Sequence, residues 1–142
     1  MLRAVDIFLD IDGVLIRDGQ VTPRCFAFVR WAVESHRPHW LTTRDAHGTH
    51  EGILRAFRHA LGTPLLPQEI AHLLCAVKPT RWRGSKLDAI DLASNWVWLD
   101  DDPLLVEVET LRCRGLLDRL LIVDSDDDLW RAVEAIDGYI QR

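Results

Sequence analysis

Four short apolar runs recur along the chain, separated by longer segments in which apolar residues return every three to four positions. The runs occupy residues 4–9, 38–43, 95–103 and 117–125. Short apolar runs without strict alternation are typical of strands that are buried on both faces of a sheet. We therefore predict one strand in each run. The segment after the first run, 13–20, is rich in turn residues.

The segments between the runs predict amphipathic helices, at 22–35, 50–62, 85–94, 103–115 and 127–141. Three of these helices have predicted N-caps, in the residues Thr22, Ser85 and Asp102; Pro23 and Pro103 then suit the first helical position. Gly62 predicts the end of the second helix. Residues 67–77 fit either a helix or a helix followed by a strand.

Strands that alternate with helices predict an α/β fold, a three-layer α/β/α sandwich around a mainly parallel sheet. The 142 residues are the length of one domain, which we predict to span residues 1–142. In sheets of this kind, ligands bind beyond the carboxyl ends of the strands. Unusual polar residues at those ends are therefore the first candidates for a functional site.

Polar residues do follow the ends of all four predicted strands. They are Asp10 and Asp12, Thr42 and Thr43, Asp100 and Asp101, and Asp124. Solvated acids with no function would scatter over both edges of the sheet. The concentration at one edge predicts a single site that several strands share.

Composition and charge limit the classes of partner and the compartment that we expect for the protein. The net charge of −5 argues against a nucleic-acid partner in general, although charge can be local. We expect neither a signal peptide nor a membrane partner, since the first apolar run is short and cut by acids. The three cysteines lie far apart without metal-ligand spacing, so we expect free thiols and a cytoplasmic protein.

The basic residues are unevenly divided, because 15 of the 17 are arginine and only Lys78 and Lys86 are lysine. A compact ammonium and a forked guanidinium are not interchangeable. A lysine retained in such a chain is therefore a candidate for a position where arginine does not serve, with a chance surface position as the alternative.

Carboxylates at the mouth of a parallel sheet suit phosphoryl transfer. A carboxylate can attack phosphorus to form an acyl phosphate, and Mg²⁺, which prefers carboxylate, water and phosphate oxygens, offsets the substrate's negative charge. Asp10 with Asp100 and Asp101 can supply such a metal site from two strands. A threonine hydroxyl and a lysine can bind the phosphoryl oxygens, and a second aspartate can move the proton.

The chain resembles the haloacid dehalogenase (HAD) superfamily in four motifs that occur in the family's order. These are FLDIDGVL at 8–15, HWLTT at 39–43, KLDAI at 86–90 and VWLDDDP at 97–103. The resemblance implies a HAD-like, Rossmann-type fold and a Mg²⁺-dependent phosphatase, since an aspartate stands at the family's general-acid position. It implies the following roles: Asp10 as nucleophile and metal ligand, Asp12 as general acid/base with its carbonyl on the metal, Thr42 on the phosphoryl group, Lys86 as the stabilising cation, and Asp100 and Asp101 as metal ligands.

Three positions leave alternatives open. Thr43 can replace Thr42 as the phosphoryl-binding residue, and Lys78 fits the family's lysine spacing as well as Lys86, which starts the helix before the next strand. Trp82 either stacks on a substrate or anchors a loop.

The segments where HAD proteins insert cap domains are short here, so the resemblance implies a member without a sizeable cap. An open site suits a phosphorylated substrate that is large, such as a phosphoprotein or a nucleic-acid end, or a small molecule enclosed by an oligomeric partner. The second and fourth motifs are similar to those of small HAD domains in RNA-repair proteins. The alternatives are a HAD-shaped binding module without catalysis and, less well matched in motif order, a receiver domain.

Overall fold

The four predicted runs form one parallel sheet in the computed structural model, which describes residues 3–140. The sheet order is β4-β1-β5-β6, and a separate antiparallel pair, β2 and β3, follows the first strand. The strands are β1 Asp6–Leu9, β2 Ile16–Arg17, β3 Gln20–Val21, β4 Arg37–Trp40, β5 Trp96–Asp100 and β6 Leu120–Ile122. The predicted mixed α/β class with a parallel sheet is confirmed. Residues 1, 2, 141 and 142 of the predicted domain lie outside the described residues.

The described residues contain five α-helices and two short 3₁₀ helices. The α-helices are α1 Cys25–Ser35, α2 Glu51–Leu61, α3 Gln68–Ala76, α4 Leu105–Cys113 and α5 Asp126–Ile140. The 3₁₀ helices span Lys86–Ala89 and Leu117–Arg119. None of the helices within residues 3–140 combines the length and apolarity needed to cross a membrane.

Both faces of the sheet are buried, because alternate side chains of each strand enter different apolar clusters. Ile7 and Leu9 of β1 pack with residues of α1, α2, α3 and α5, whereas Phe8 packs on the opposite face with residues that include Leu111 of α4. The side chains of β5 alternate in the same way, and Trp96 and Trp98 lie on the α4 side of the sheet. This double burial explains why the strands are continuous apolar runs.

The register of the sheet brings the acidic strand ends together. Leu9 pairs with Trp40 on one side and with Leu99 on the other. Asp10 and Asp100 therefore follow paired residues, and they emerge side by side at the carboxyl edge of the sheet. The Asp10 amide donates to the carbonyl of Leu99 at 3.0 Å, which extends the pairing up to this edge.

The turn-rich segment after β1 is a tight hairpin. Its two central residues, Asp18 and Gly19, have φ angles of 53° and 75°. Positive φ at both positions matches the two-residue turn that fits the twist of antiparallel strands.

The N-cap predicted at Thr22 is wrong. Helix α1 begins at Cys25 and the cap position is Arg24, whose amide donates to the carboxylate of Asp126 at 3.0 Å. An acid from a distant helix therefore satisfies the amide at the start of α1, and the Thr22 hydroxyl is buried without a hydrogen-bond partner among the described residues.

The cap predicted at Asp102 is also wrong, because α4 begins at Leu105 and Glu107 accepts from the amide of the cap residue Leu104. The helix predicted at 85–94 is only a 3₁₀ turn, although Ser85 caps it as expected by accepting from the Leu87 amide at 3.2 Å. Residues 67–77 form α3, and Lys78 then makes a single bridge to His39 of β4.

Candidate functional site

The centre of the carboxyl edge is a buried ion-pair group of two aspartates and one lysine. The Lys86 Nζ atom lies 2.7 Å from an Asp100 oxygen and 3.3 Å from an Asp10 oxygen. The exposed fractions of the three side chains are 11%, 1% and 8% for Lys86, Asp100 and Asp10. One cation therefore balances two acids that the sheet register forces together.

Asp101 adds a third carboxylate to this group. One oxygen each from Asp10, Asp100 and Asp101 lies within 4.8 Å of the others, and we call these three residues the acidic group. Gly13 makes room for Asp101, since a Cβ built on Gly13 would lie 2.0 Å from an Asp101 oxygen. The φ of Gly13 is +81°, which also disfavours any other residue.

The donor set of this acidic group fits a hard divalent cation. Three carboxylates against one ammonium leave an excess of negative charge, and this is costly for the two buried ones, Asp10 and Asp100. One Asp10 oxygen accepts from the Ile11 amide and the other pairs with the Lys86 ammonium. One Asp100 oxygen accepts from the Asp102 amide and the other from the Lys86 ammonium. A carboxylate oxygen can accept a second bond, so these oxygens can also hold Mg²⁺, which prefers carboxylates and water.

The pKa values of these groups reflect the crowding of charge. Burial, and then the charge of Asp100, raise the pKa of Asp10, while Lys86 opposes the shift. Burial alone would lower the pKa of Lys86, but Asp10 and Asp100 together raise it. Burial and Asp100 also raise the pKa of Asp101. The ionised forms of Asp10 and Asp101 are therefore disfavoured by burial and by Asp100, and a bound dication would stabilise them.

Lys86 is fixed in place by the buried carboxylate of Glu107, which is 1% exposed. One Glu107 oxygen accepts from the Lys86 amide at 2.8 Å and from the Ser85 hydroxyl at 2.9 Å. The other accepts from the Leu104 amide at 2.9 Å. Glu107 thus ties the lysine turn to the start of α4. Glu107 was not among the residues predicted from the sequence, although an acid three residues after a cap position is a known helix-start signal.

We expect Glu107→Gln to lower the free energy of unfolding by about 2–3 kcal/mol. The amide group of glutamine would face donors that now share a carboxylate, and at least one buried donor would lose its partner. Urea denaturation measures the change. The matched control is Glu109→Gln on the same helix, where the side chain is exposed and we expect a change within about 0.5 kcal/mol. Equal effects at the two positions would contradict the role given to Glu107.

Asp12 lies beside this acidic group but its side chain has a different partner. Arg44 donates to both Asp12 oxygens, at 2.7 and 2.9 Å. This bidentate pair fixes the position of the Asp12 carboxylate. Sequence reasoning missed Arg44; the available signal was its position directly after the two threonines at the end of the second predicted strand.

The two candidate threonines differ in exposure. Thr42 is fully buried, and its hydroxyl accepts from the Arg44 amide at 3.1 Å. Thr43 is exposed and lines a cavity together with Lys86. The structure therefore places Thr42 as a support for the loop and Thr43 at the open surface, next to the acidic group.

Neither Lys78 nor Asp124 belongs to the acidic group, although the Asp124 carbonyl accepts from Arg17, which also donates to the Gly13 carbonyl. Lys78 is exposed, and its amide and carbonyl pair with Pro38 and Trp40. Asp124 is also exposed, and its amide donates to Asp128. Of the two lysines, only Lys86 has its ammonium on the aspartates.

Two cavities flank the acidic group. One of about 400 Å³ is lined by Asp12, Gly13, Arg44 and Asp101 together with the β2–β3 hairpin and α2. The other, of about 260 Å³, is lined by Thr43 and Lys86 together with residues of the segment before the Lys86 turn, the loop after β5 and the first turn of α4. The first cavity reaches Asp101 and the second reaches Lys86, whereas Asp10 and Asp100 line neither of these two cavities.

Comparison of the chain with protein-family models, curated proteins and solved structures found no match. Function therefore has to be inferred from the chemistry of the side chains themselves. The chemistry at this edge is that of buried carboxylates with a lysine and a bidentate arginine–aspartate pair.

Proposed function

We propose that the chain is a Mg²⁺-dependent phosphatase, a phosphomonoester hydrolase that acts through a phosphoaspartate on Asp10. The observation that carries this proposal is the position of the Lys86 ammonium between Asp10 and Asp100, with the Asp101 carboxylate next to them. The four HAD-like motifs supply these residues from different parts of the chain, and the sheet register brings them to one edge.

The proposed fold is the HAD-like three-layer sandwich without a sizeable cap. Buried clusters on the two faces of the sheet support it, as does the packing of α2 and α3, which lie between β4 and β5 in sequence and contribute buried residues to one of these clusters. Among the described residues, the elements between the first three HAD-like motifs are the β2–β3 hairpin, β4 and the helices α1, α2 and α3, and α2 forms one wall of the cavity beside Asp12 and Asp101. We therefore propose an open site that admits a large phosphorylated substrate.

In the proposed reaction, an Asp10 oxygen attacks phosphorus and the bond from phosphorus to the ester oxygen breaks. Asp12 gives its proton to the departing oxygen and then takes one from a water molecule. That water attacks the phosphoaspartate, releasing inorganic phosphate and restoring the Asp10 carboxylate. Lys86 and the exposed Thr43 hydroxyl stabilise the phosphoryl oxygens.

The metal ion would be held by Asp10, Asp100 and Asp101, and when bound it would offset the charge of the phosphate. Arg44 donates one bond to each Asp12 oxygen, and each oxygen keeps a second lone pair for the proton that it exchanges with the substrate. The arginine therefore orients Asp12.

We expect hydrolysis of an aryl phosphate to require Mg²⁺ and to stop when a chelator is added. We also expect Mg²⁺ to raise the melting temperature of the wild-type chain, because an ion that binds only the folded state stabilises it. Asp101→Asn should reduce this shift at least by half, since it removes one of three carboxylate ligands.

The control is Asp124→Asn, which changes a strand-end aspartate outside the acidic group and should keep the full Mg²⁺-induced shift. Hydrolysis that continues in chelator would contradict the metal-dependent mechanism. A Mg²⁺-induced shift without hydrolysis of any phosphomonoester would favour the HAD-shaped binding module instead.

A further inference from the structure

The 260 Å³ cavity beside Lys86 has an apolar character that phosphoryl transfer alone does not require. Trp82 and Leu104 form part of its walls, and it shares Thr43 and Lys86 with the proposed phosphoryl site. A group that enters this cavity therefore contacts the lysine and the threonine that would bind the phosphoryl oxygens.

The charged residues that line the cavity are unsuited to a second anion. The Lys86 ammonium is paired with two aspartates and, in the proposed reaction, binds the phosphoryl oxygens, while the Glu107 carboxylate already accepts from three donors. Neither charge is therefore left for a second ionic group of the ligand. Asp102 at the same cavity is exposed and acidic, which disfavours an anion further. What the cavity offers a ligand is apolar contact.

The ring of Trp82 is held in position before any ligand binds. It is half-buried and packs against the apolar cluster on the α4 side of the sheet, and its amide donates to the Ala46 carbonyl at 3.2 Å. A ring fixed by packing loses little freedom when a second ring stacks on it. The sequence left Trp82 as either an anchor or a stacking surface; the structure shows the packing of a loop anchor and places the residue in the wall of the cavity.

The apolar surface continues beyond the cavity. Leu104, Leu105 and Val106 at the start of α4 are 53%, 71% and 61% exposed. Three adjacent apolar side chains left in solvent are unusual unless they contact a ligand or partner. Leu104 joins this surface to the Trp82 cavity.

We propose that the cavity lined by Trp82 and Leu104 binds an aromatic ring carried by the alcohol portion of the substrate. This inference rests on the proposed phosphatase function and specifies its substrate class, an aromatic-substituted phosphomonoester. The volume of 260 Å³ is sufficient for one ring system. The ring is separated from the ester oxygen by several bonds, since that oxygen must lie beside Asp12 while the ring lies beside Trp82.

The test compares 3-phenylpropyl phosphate with propyl phosphate, whose departing alcohols are similarly acidic and differ by the ring. We expect the Mg²⁺-loaded wild-type chain to show a kcat/KM about tenfold higher for the phenyl compound, in line with aromatic stacking. Trp82→Leu should bring the two values within about twofold of each other, and Trp82→Phe should retain most of the preference.

Trp130→Leu is the matched control, because Trp130 is 48% exposed and does not line this cavity; it should keep the wild-type preference. If Trp82→Leu does not fold, Leu104→Ser carries the test from the opposite wall while keeping a residue suited to a helix cap. A wild-type chain without preference, or a preference unchanged in both Trp82→Leu and Leu104→Ser, would overturn the proposal.

A binding experiment separates failure of the cavity from failure of the phosphatase. Calorimetric titration with 3-phenylpropylphosphonate and propylphosphonate needs no hydrolysis, since the carbon–phosphorus bond is stable. Tighter binding of the phenyl compound that is lost in Trp82→Leu would support the aromatic subsite even in a chain that hydrolyses nothing. Equal affinities for the two phosphonates would overturn it, whether or not propyl phosphate is hydrolysed.

Discussion

Asp10→Asn is expected to lower kcat for a Mg²⁺-supported aryl phosphate by at least about a thousandfold, because it removes the proposed nucleophile. The asparagine side chain has nearly the same shape, but its oxygen is a poor nucleophile and carries no charge for the metal. Steady-state hydrolysis with purified protein measures the loss. The control Asp124→Asn should retain activity within about twofold, since Asp124 is exposed and outside the acidic group.

The same substitution has an opposite expected effect on stability. Burial and Asp100 raise the pKa of Asp10, so ionising this carboxyl is harder in the folded chain than in the unfolded chain. Its contribution therefore lowers stability as the pH rises from the unfolded pKa through the folded pKa. A neutral amide avoids this cost, and in chelator at pH 8 we expect Asp10→Asn to melt at or above the wild-type temperature.

Lost activity together with retained or increased stability is the signature of a residue placed for chemistry rather than for folding. If Asp10→Asn hydrolyses the aryl phosphate at the wild-type rate, the phosphoaspartate mechanism is excluded. If it melts well below the wild type in chelator, Asp10 serves the fold, and the loss of activity carries no information about the nucleophile.

The position of Asp10 and Asp100 was predictable because a parallel sheet leaves few choices. Once β1 and β5 are neighbours in register, the residues that follow Leu9 and Leu99 must lie side by side. Burial on both faces makes the strands easy to recognise in the sequence. The same logic identifies Asp101, which follows Asp100 directly.

Contacts between distant segments were not predictable in this way. The Arg24 amide is satisfied by Asp126, which is 102 residues away, so local capping rules placed the start of α1 at the wrong residue. Glu107 reaches 21 residues back to the Lys86 amide. Neither pairing leaves a periodic or local pattern in the sequence, since both depend on how helices and loops pack in three dimensions.

The choice between the two lysines illustrates the same limit. Spacing along the chain allows either Lys78 or Lys86 to serve the acidic group. The two lysines differ in where the folded chain places them. Lys78 follows α3 and bridges to β4, the strand at one edge of the sheet. Lys86 lies in a turn that Glu107 holds against α4. Only the position of Lys86 delivers an ammonium to the aspartates between β1 and β5.

Lys86→Met is expected to lower the free energy of unfolding by about 3–5 kcal/mol in chelator, because removing one partner of a buried ion pair leaves the other charge uncompensated. Methionine is similar in length and apolar, so cavity formation contributes little. The two buried carboxylates of Asp10 and Asp100 then lack their shared cation. Urea denaturation at neutral pH measures the loss, and Mg²⁺ should restore part of it by binding the same oxygens.

Hydrolysis by Lys86→Met in saturating Mg²⁺ is expected to fall by about a hundredfold or more, since a preorganised cation next to the phosphoryl oxygens is lost. Lys78→Met is the matched control, as it makes the same substitution at the chain's other lysine. Its side chain is exposed and its backbone pairing is unaffected, so stability should stay within about 0.5 kcal/mol of the wild type. A larger loss of activity in Lys78→Met than in Lys86→Met would show that Lys78, not Lys86, is the catalytic lysine. The Lys78 ammonium would then have to reach Asp10 from a position different from the one described. Equal, small losses at both positions would instead show that the aspartates function without a lysine.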